Sequence, residues 1–168
     1  MVTDEQITQA AEHFYNLVFT QWINQQFLSP IWFILVIILL FSYGLFIYLV
    51  DKKRIIEILL FGSLVAVAFA NYDTIGQQLG YWAYYKSVVP FYPNLFLGDI
   101  TFIPIYAMLV YQYTSTWKSF ILWITVWAGL FTFVFYNLLM GYLQVFDYLK
   151  PYSAVLDFLL FLAFGIIS

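Results

Sequence analysis

Hydrophobic positions run almost unbroken from Pro30 to Ser168, and polar residues gather at a few boundaries. Residues 31–50 read I-W-F-I-L-V-I-I-L-L-F-S-Y-G-L-F-I-Y-L-V, ionisable only at Tyr43 and Tyr48. A helix needs about 20 such residues to cross a hydrocarbon core, so the pattern predicts a first membrane span here. The same reasoning places further spans at Ile55 to about Ala70, about Leu95 to Tyr113, Ser119 to about Met140, and Pro151 to Ser168. Pro104 is expected to kink the third. Between the second and third, Ile75, Leu79, Trp82 and Val89 form an apolar stripe broken by Gly76, Gly80, Pro90 and Pro93. That mixture predicts an interfacial or partly re-entrant helix and then a turn over 74–93, and residues 141–150 read as a short interfacial link.

The opening segment has a different period. Thr3 followed by Gln6 has the form of a capping box. Ile7, Ala10, Ala11, Phe14, Leu17, Val18 and Trp22 then recur at helical spacing opposite Gln9, His13, Asn16 and Gln25. The pattern predicts an amphipathic helix lying in the interface, without the usual basic face. Ser29-Pro30 is a helix-entry signal. The expected fold is all-α: an N-terminal interfacial helix over 1–29 and a five-span integral membrane bundle over 30–168.

Composition agrees. Charged residues make up 9% of the chain, against about 25% in soluble domains, and 168 residues could not hide so much apolar surface from water. A net charge of −3 removes the electrostatic basis for nucleic-acid binding. With no cysteine, disulfides and thiolate metal sites are excluded. The acidic opening M-V-T-D-E predicts no cleavable signal peptide. Lys52, Lys53, Arg54 and Lys118 follow spans one and three, whereas only Lys86 and Lys150 follow spans two and four. That bias predicts an outside N-terminus and a cytoplasmic C-terminus.

This topology draws polar residues to the outer end. Asn71 and Asp73 close span two, Asp99 opens span three, Asn137 lies late in span four, and Asp157 sits inside span five, roughly 9 Å below Pro151 at the helical rise. A carboxylate at that depth must be protonated, wetted or paired with another span. The candidate site is therefore a pocket joining Asp73, Asp99 and Asp157, flanked by Asn71, Tyr136 and Asn137. A plainer role competes with it: Asp73 and Asp99 both precede helical text and would serve as N-caps. Lys52, Lys53, Arg54 and Glu57 read as a membrane-interface anchor, Glu57 pairing with Lys53 and Arg54. Gln112 is expected to hydrogen-bond between helices. Trp82, Trp117, Tyr72, Tyr81, Tyr142 and Tyr148 fall where an aromatic belt belongs. His13 is isolated, so no metal site is expected. No cofactor is expected either: Walker, G-x-S-x-G, H-E-x-x-H and Rossmann patterns do not occur.

Together D-K-K-R-I-I-E (51–57), D-T-I-G-Q-Q-L-G-Y-W-A-Y (73–84) with Pro90, D-I-T-F-I-P (99–104), Y-Q-Y-T-S-T-W (111–117) and P-Y-S (151–153) resemble a family of small multi-pass membrane proteins of spore-forming Gram-positive bacteria. The resemblance implies a bacterial plasma-membrane location. Members carry a Glu-Pro pair late in the fourth span, where Tyr136-Asn137 stands here. The layout is also similar to membrane-embedded terpene and lycopene cyclases, which implies protonation of an isoprenoid by a carboxylic acid. The Trp-Glu pair of those cyclases is absent, with Tyr72-Asp73 a loose substitute.

Two functional classes follow. The first, and the favoured one, is an accessory or structural membrane subunit without catalytic activity. Its partners would be the lipid bilayer and a membrane protein or second copy of this chain. The second is an enzyme or binder that holds an apolar isoprenoid- or lipid-like ligand against outer-leaflet carboxylates. A transporter comes third, since no inverted repeat is visible.

Overall fold

The computed structural model describes residues 2–94, 96–150 and 154–167. Leu95 and Pro151, where two spans were expected to begin, and the motif over 151–153 lie outside the described residues. Thr3 opens α1 (Asp4–Gln21): its hydroxyl accepts from the Gln6 amide, and the Gln6 side chain accepts from the Thr3 amide. This helix buries none of its residues. It widens into a π-helical turn, Trp22–Gln26, which is fastened to a distant loop. The Trp22 indole donates to the Ser87 carbonyl at 3.1 Å, and Gln26 Oε1 accepts from the Ser87 amide at 2.8 Å.

Ser29 caps α2 (Pro30–Leu49) by accepting from the Trp32 amide, with Pro30 in the first turn where its missing N–H has no bond to lose. Gln112 closes the turn that follows, accepting from the Asp51 amide at 2.7 Å and donating to the Leu49 carbonyl at 2.9 Å. Arg54 and Glu57 form an exposed ion pair there at 2.9 Å, and Tyr111 also donates to Glu57.

Helix α3 (Ile55–Gln78) corrects the expectation that span two stops near Ala70. Ile58, Phe61, Gly62, Val65, Phe69, Asp73, Gly76 and Gln77 are buried at three- and four-residue intervals. The polar members therefore continue the inward stripe, and the helix has no reason to end at Asn71. The interfacial or re-entrant helix expected over 74–93 is not formed. Instead Gly80, at φ +66°, ends the helix: its amide donates to Gln77 and the Tyr81 amide reaches back to Gly76, a glycine-dependent left-handed stop. The chain then enters the short strand β1 (Trp82–Tyr84).

A π-helical stretch, Gly98–Phe102, leads into α4 (Ile103–Tyr113). Pro104 offers no amide and crowds the carbonyl four residues back; the wider winding just before it accommodates that crowding. Helix α5 (Trp117–Gly129) likewise continues as a π-helical stretch, Leu130–Met140. The link that follows contains β2 (Phe146–Tyr148), antiparallel to β1 with Trp82 opposite Tyr148, Ala83 opposite Asp147 and Tyr84 opposite Phe146. The last element is α6 (Ala154–Ile167).

The fold is all-α apart from this two-stranded ladder. Among the described residues three helices are long and apolar enough to cross a membrane: Pro30–Leu49, Ile55–Gln78 and the continuous Trp117–Met140. The run Asp157–Ile166 is a shorter apolar helix. Leu35, Ile58, Val65, Phe69, Ile103 and Ile124 are wholly buried between the helices. Leu40, Ile47, Leu60, Val67, Leu122 and Leu138 are each more than half exposed. An apolar girdle of that kind suits lipid rather than water.

Candidate functional site

The two strands present their rings to one side. Side chains two apart share a face, so Trp82 and Tyr84 of β1, with Phe146 and Tyr148 of β2, turn toward the helices, while Asp147 is exposed. Beneath them is a small space of about 10 Å³, lined by Tyr72, Asp73, Trp82, Tyr84, Asp99, Tyr136, Phe146, Asp157 and Phe161. That is room for about one water-sized occupant. Asp73, Asp99 and Asp157 are 4%, 2% and 5% exposed.

The three carboxyl groups have different surroundings. Asp73 Oδ1 accepts from the Trp82 indole at 2.7 Å and from the Tyr84 hydroxyl at 3.1 Å, and Oδ2 accepts from the Gln77 amide. Asp157 is held between Tyr72, donating to Oδ1 at 2.5 Å, and Tyr148, donating to Oδ2 at 2.9 Å. Asp99 is the exception. Its Oδ2 and Thr132 Oγ1 are the buried side-chain oxygens without a hydrogen-bond partner among the described residues, and of the two residues only Asp99 lines the cavity. Asp99 and Asp73 line the same cavity.

Several elements fix this arrangement. Asp73 and Gln77 are one turn apart on α3, so the amide meets the carboxylate along one face. Gly76 supplies the seat for the indole: a Cβ there would lie 1.8 Å from the Trp82 ring. Asp99 and Tyr136 both sit in π-helical stretches, a winding that recurs at functional sites. Asp157 lies in the first turn of α6, where the helix dipole favours a negative group, rather than deep in a span. Burial and the neighbouring Asp73 charge push the Tyr84 phenol well above its ordinary value, which keeps it a donor.

Neither Asp73 nor Asp99 is an N-cap. Asp73 is interior to α3, and the Asp99 stretch starts after Leu97 with no side-chain cap. Asn71 and Asn137 do not line the cavity: Asn71 is exposed and donates to the Val67 carbonyl, and Asn137 is exposed. Each lies within two residues of a lining residue, and a helix turns about 100° per residue, so both leave the inward face. Tyr136 does line it. Lys52, Lys53, Arg54 and Glu57 stand at the other ends of the helices, around the α2–α3 turn, where the ion pair joins Glu57 to Arg54.

Sequence reasoning assigned Tyr72, Trp82 and Tyr148 to an aromatic belt, and it missed Tyr84 and Gln77. Trp117 and Tyr142 are exposed as a belt requires, but Trp82 is buried on Asp73. The missed signal is the alternation W-A-Y and F-D-Y, two short period-2 segments with rings on one face. Among the described residues no cluster of His, Cys, Asp and Glu is arranged to hold a metal ion.

No family model, curated protein or solved structure matches this chain. Fold and site alone define its class: a small helical membrane protein with a buried cluster of acidic and aromatic residues.

Proposed function

We propose that this cluster is a membrane-embedded acid site that protonates an apolar, unsaturated ligand of isoprenoid or lipid type. The observation that carries the reading is Asp99 Oδ2, buried in an aromatic-walled cavity with no donor among the described residues. A buried anion needs donors; a protonated carboxyl brings its own. In this reading Asp99 is the acid, and Asp73, supplied with three donors, is the fixed anion beside it. Transfer of the Asp99 proton to a carbon–carbon double bond forms a C–H bond and a carbocation. The faces of Trp82, Tyr136 and Phe146 would stabilise that cation, and loss of a neighbouring proton to a carboxylate would restore a double bond. The ladder must lift for such a ligand to enter, because a cavity of about 10 Å³ is far too small for one.

The frame for this reading is a five-span bundle in a bacterial plasma membrane, with α1 in the outer interface, the N-terminus outside and the acid site in the outer leaflet. The extent of the apolar helices and the lysine bias of the short loops support it.

The test uses purified protein with squalene or lycopene as probe in deuterated buffer. The expected result is deuterium incorporation into the polyene, lost in Asp99→Asn while the variant retains its fold. Equal labelling by the native protein and Asp99→Asn would overturn the reading.

A second reading, the accessory or structural subunit, is favoured by the saturation of Asp73 and Asp157 with donors from this chain and by the small cavity. In it the polar cluster clamps the bundle together. Its expected signature is a stoichiometric partner, or a second copy of the chain, after mild detergent extraction.

A further inference from the structure

We infer that Tyr84 and Tyr136 form the inlet that delivers protons to the Asp73–Asp99 pair from the aqueous face at this end of the bundle. The inference rests on the acid reading above. The two tyrosines line the acid cavity on one side and, on the other, a second cavity of about 20 Å³ whose wall includes Lys86, Ser87 and Asn94. These three polar residues belong to the loop after β1 and are half-buried, each partly reached by solvent. The phenol pair is therefore the partition between this second cavity, a largely apolar vestibule with Lys86, Ser87 and Asn94 in its wall, and the acids.

The hydrogen bonds give the partition a direction. Tyr84 has one hydroxyl proton, and its hydroxyl donates to Asp73 Oδ1 at 3.1 Å. The 2.9 Å contact between the Tyr84 and Tyr136 hydroxyls must then have Tyr136 as donor. That leaves the lone pairs of Tyr136 to accept from the vestibule. Gly98 leaves room for this hydroxyl, since a Cβ there would lie 2.8 Å from it. The transfer balances: a hydronium from the aqueous face gives a proton to Tyr136 Oη and leaves as water, Tyr136 passes its own to Tyr84 Oη, and Tyr84 passes its own to Asp73. Asp73 then exchanges it with Asp99. Both phenols end neutral with their hydroxyls reversed, rotation restores the starting direction, and one proton has entered. Asp157 stands off this route, because its donors are Tyr72 and Tyr148.

Infrared spectroscopy of the purified protein tests the route without any ligand. The native protein should show a protonated-carboxyl band that disappears in Asp99→Asn. On exchange from H₂O to D₂O, the downshift of that band should slow roughly tenfold or more in Tyr136→Phe and in Tyr84→Phe, the scale set by losing one buried hydrogen-bond link. Tyr148→Phe, which alters a ring of the same ladder off the route, should exchange at the native rate. The phenylalanine variants keep the ring packing, and band intensity reports whether each retains its fold. A native exchange rate in both tyrosine variants, or equal slowing in Tyr148→Phe, overturns the inlet and leaves the acid reading standing. Absence of the Asp99 band overturns both.

Discussion

Trp82 and Tyr148 stand opposite each other in the ladder, and each donates to a different aspartate: Trp82 to Asp73 at 2.7 Å and Tyr148 to Asp157 at 2.9 Å. One cross-strand pair thus connects a carboxylate on α3 to a carboxylate on α6. The ladder is held at its edges as well. The Leu149 amide donates to the Tyr81 carbonyl at 2.8 Å, and Lys150 Nζ donates to the Leu79 carbonyl at 2.6 Å while lying over the Tyr81 ring. Backbone pairing sets the strands, and the rings fasten them to the helices.

If this clamp operates, Tyr148 and Asp157 are energetically coupled. A double-mutant cycle of Tyr148→Phe and Asp157→Asn, read by thermal unfolding in detergent, should give a coupling of about 1–2 kcal/mol. Strict additivity of the two losses would mean that the hydrogen bond contributes nothing.

Gly76 tests the seat of the indole. Alanine at this position puts a methyl group 1.8 Å from the Trp82 ring, and α3 is fixed by its buried stripe, so the indole must leave. We expect a loss of about 2–4 kcal/mol, combining overpacking with a freed acceptor on Asp73. Tryptophan emission should also shift to the red. A native melting temperature and emission maximum in Gly76→Ala would refute the close packing.

The two neighbouring acids should answer differently to the same change. Asp73→Asn turns amide hydrogens toward a site already filled by donors, with an expected loss of about 3 kcal/mol. Asp99→Asn faces no such conflict, because Asp99 Oδ2 meets no donor among the described residues, and its melting temperature should stay close to native. Reversal of that order would remove the assignment of Asp73 as the anion.

Orientation can be read directly, because the chain has no cysteine of its own. Lys86→Cys, in the vestibule loop, should react with a membrane-impermeant maleimide in intact cells. Lys53→Cys, in the α2–α3 turn, should react only after permeabilisation. The opposite pattern would invert the topology and place the acid cavity toward the cytoplasm.

Much of the helical frame can be read from local chemistry. Thr3 with Gln6 and Ser29 with Pro30 mark helix starts because capping involves residues only a few positions apart. The long apolar runs require helices because a backbone in lipid must satisfy itself. Asp73, Asp99 and Asp157 stand out because acids within apolar text are rare. The ladder has no such local signature. Tyr72 and Asp157 are 85 positions apart, and nothing near either names the other. Helical phase was lost wherever polar residues were grouped by depth alone: Asn137 shares its depth with Tyr136 but not its direction. The end of α3 was misplaced for a related reason. Asn71-Tyr72-Asp73 reads as a polar stop until Asp73 is seen to have its own buried donors.

The order in which the chain is made has a consequence for the ladder. Residues 82–84 leave the ribosome long before 146–148, and the latter must wait for α5 to enter the bilayer. Until then Asp73 has Gln77, Trp82 and Tyr84 within its own neighbourhood, while Tyr72 has no Asp157 to meet. The early half can therefore insert with its acid already hydrogen-bonded, and closure over the cavity is reserved for the last stage of biogenesis. A nascent chain arrested before Phe146 should leave the underside of β1 open to protease or to a water-soluble quencher of Trp82, and release of the arrest should bury it.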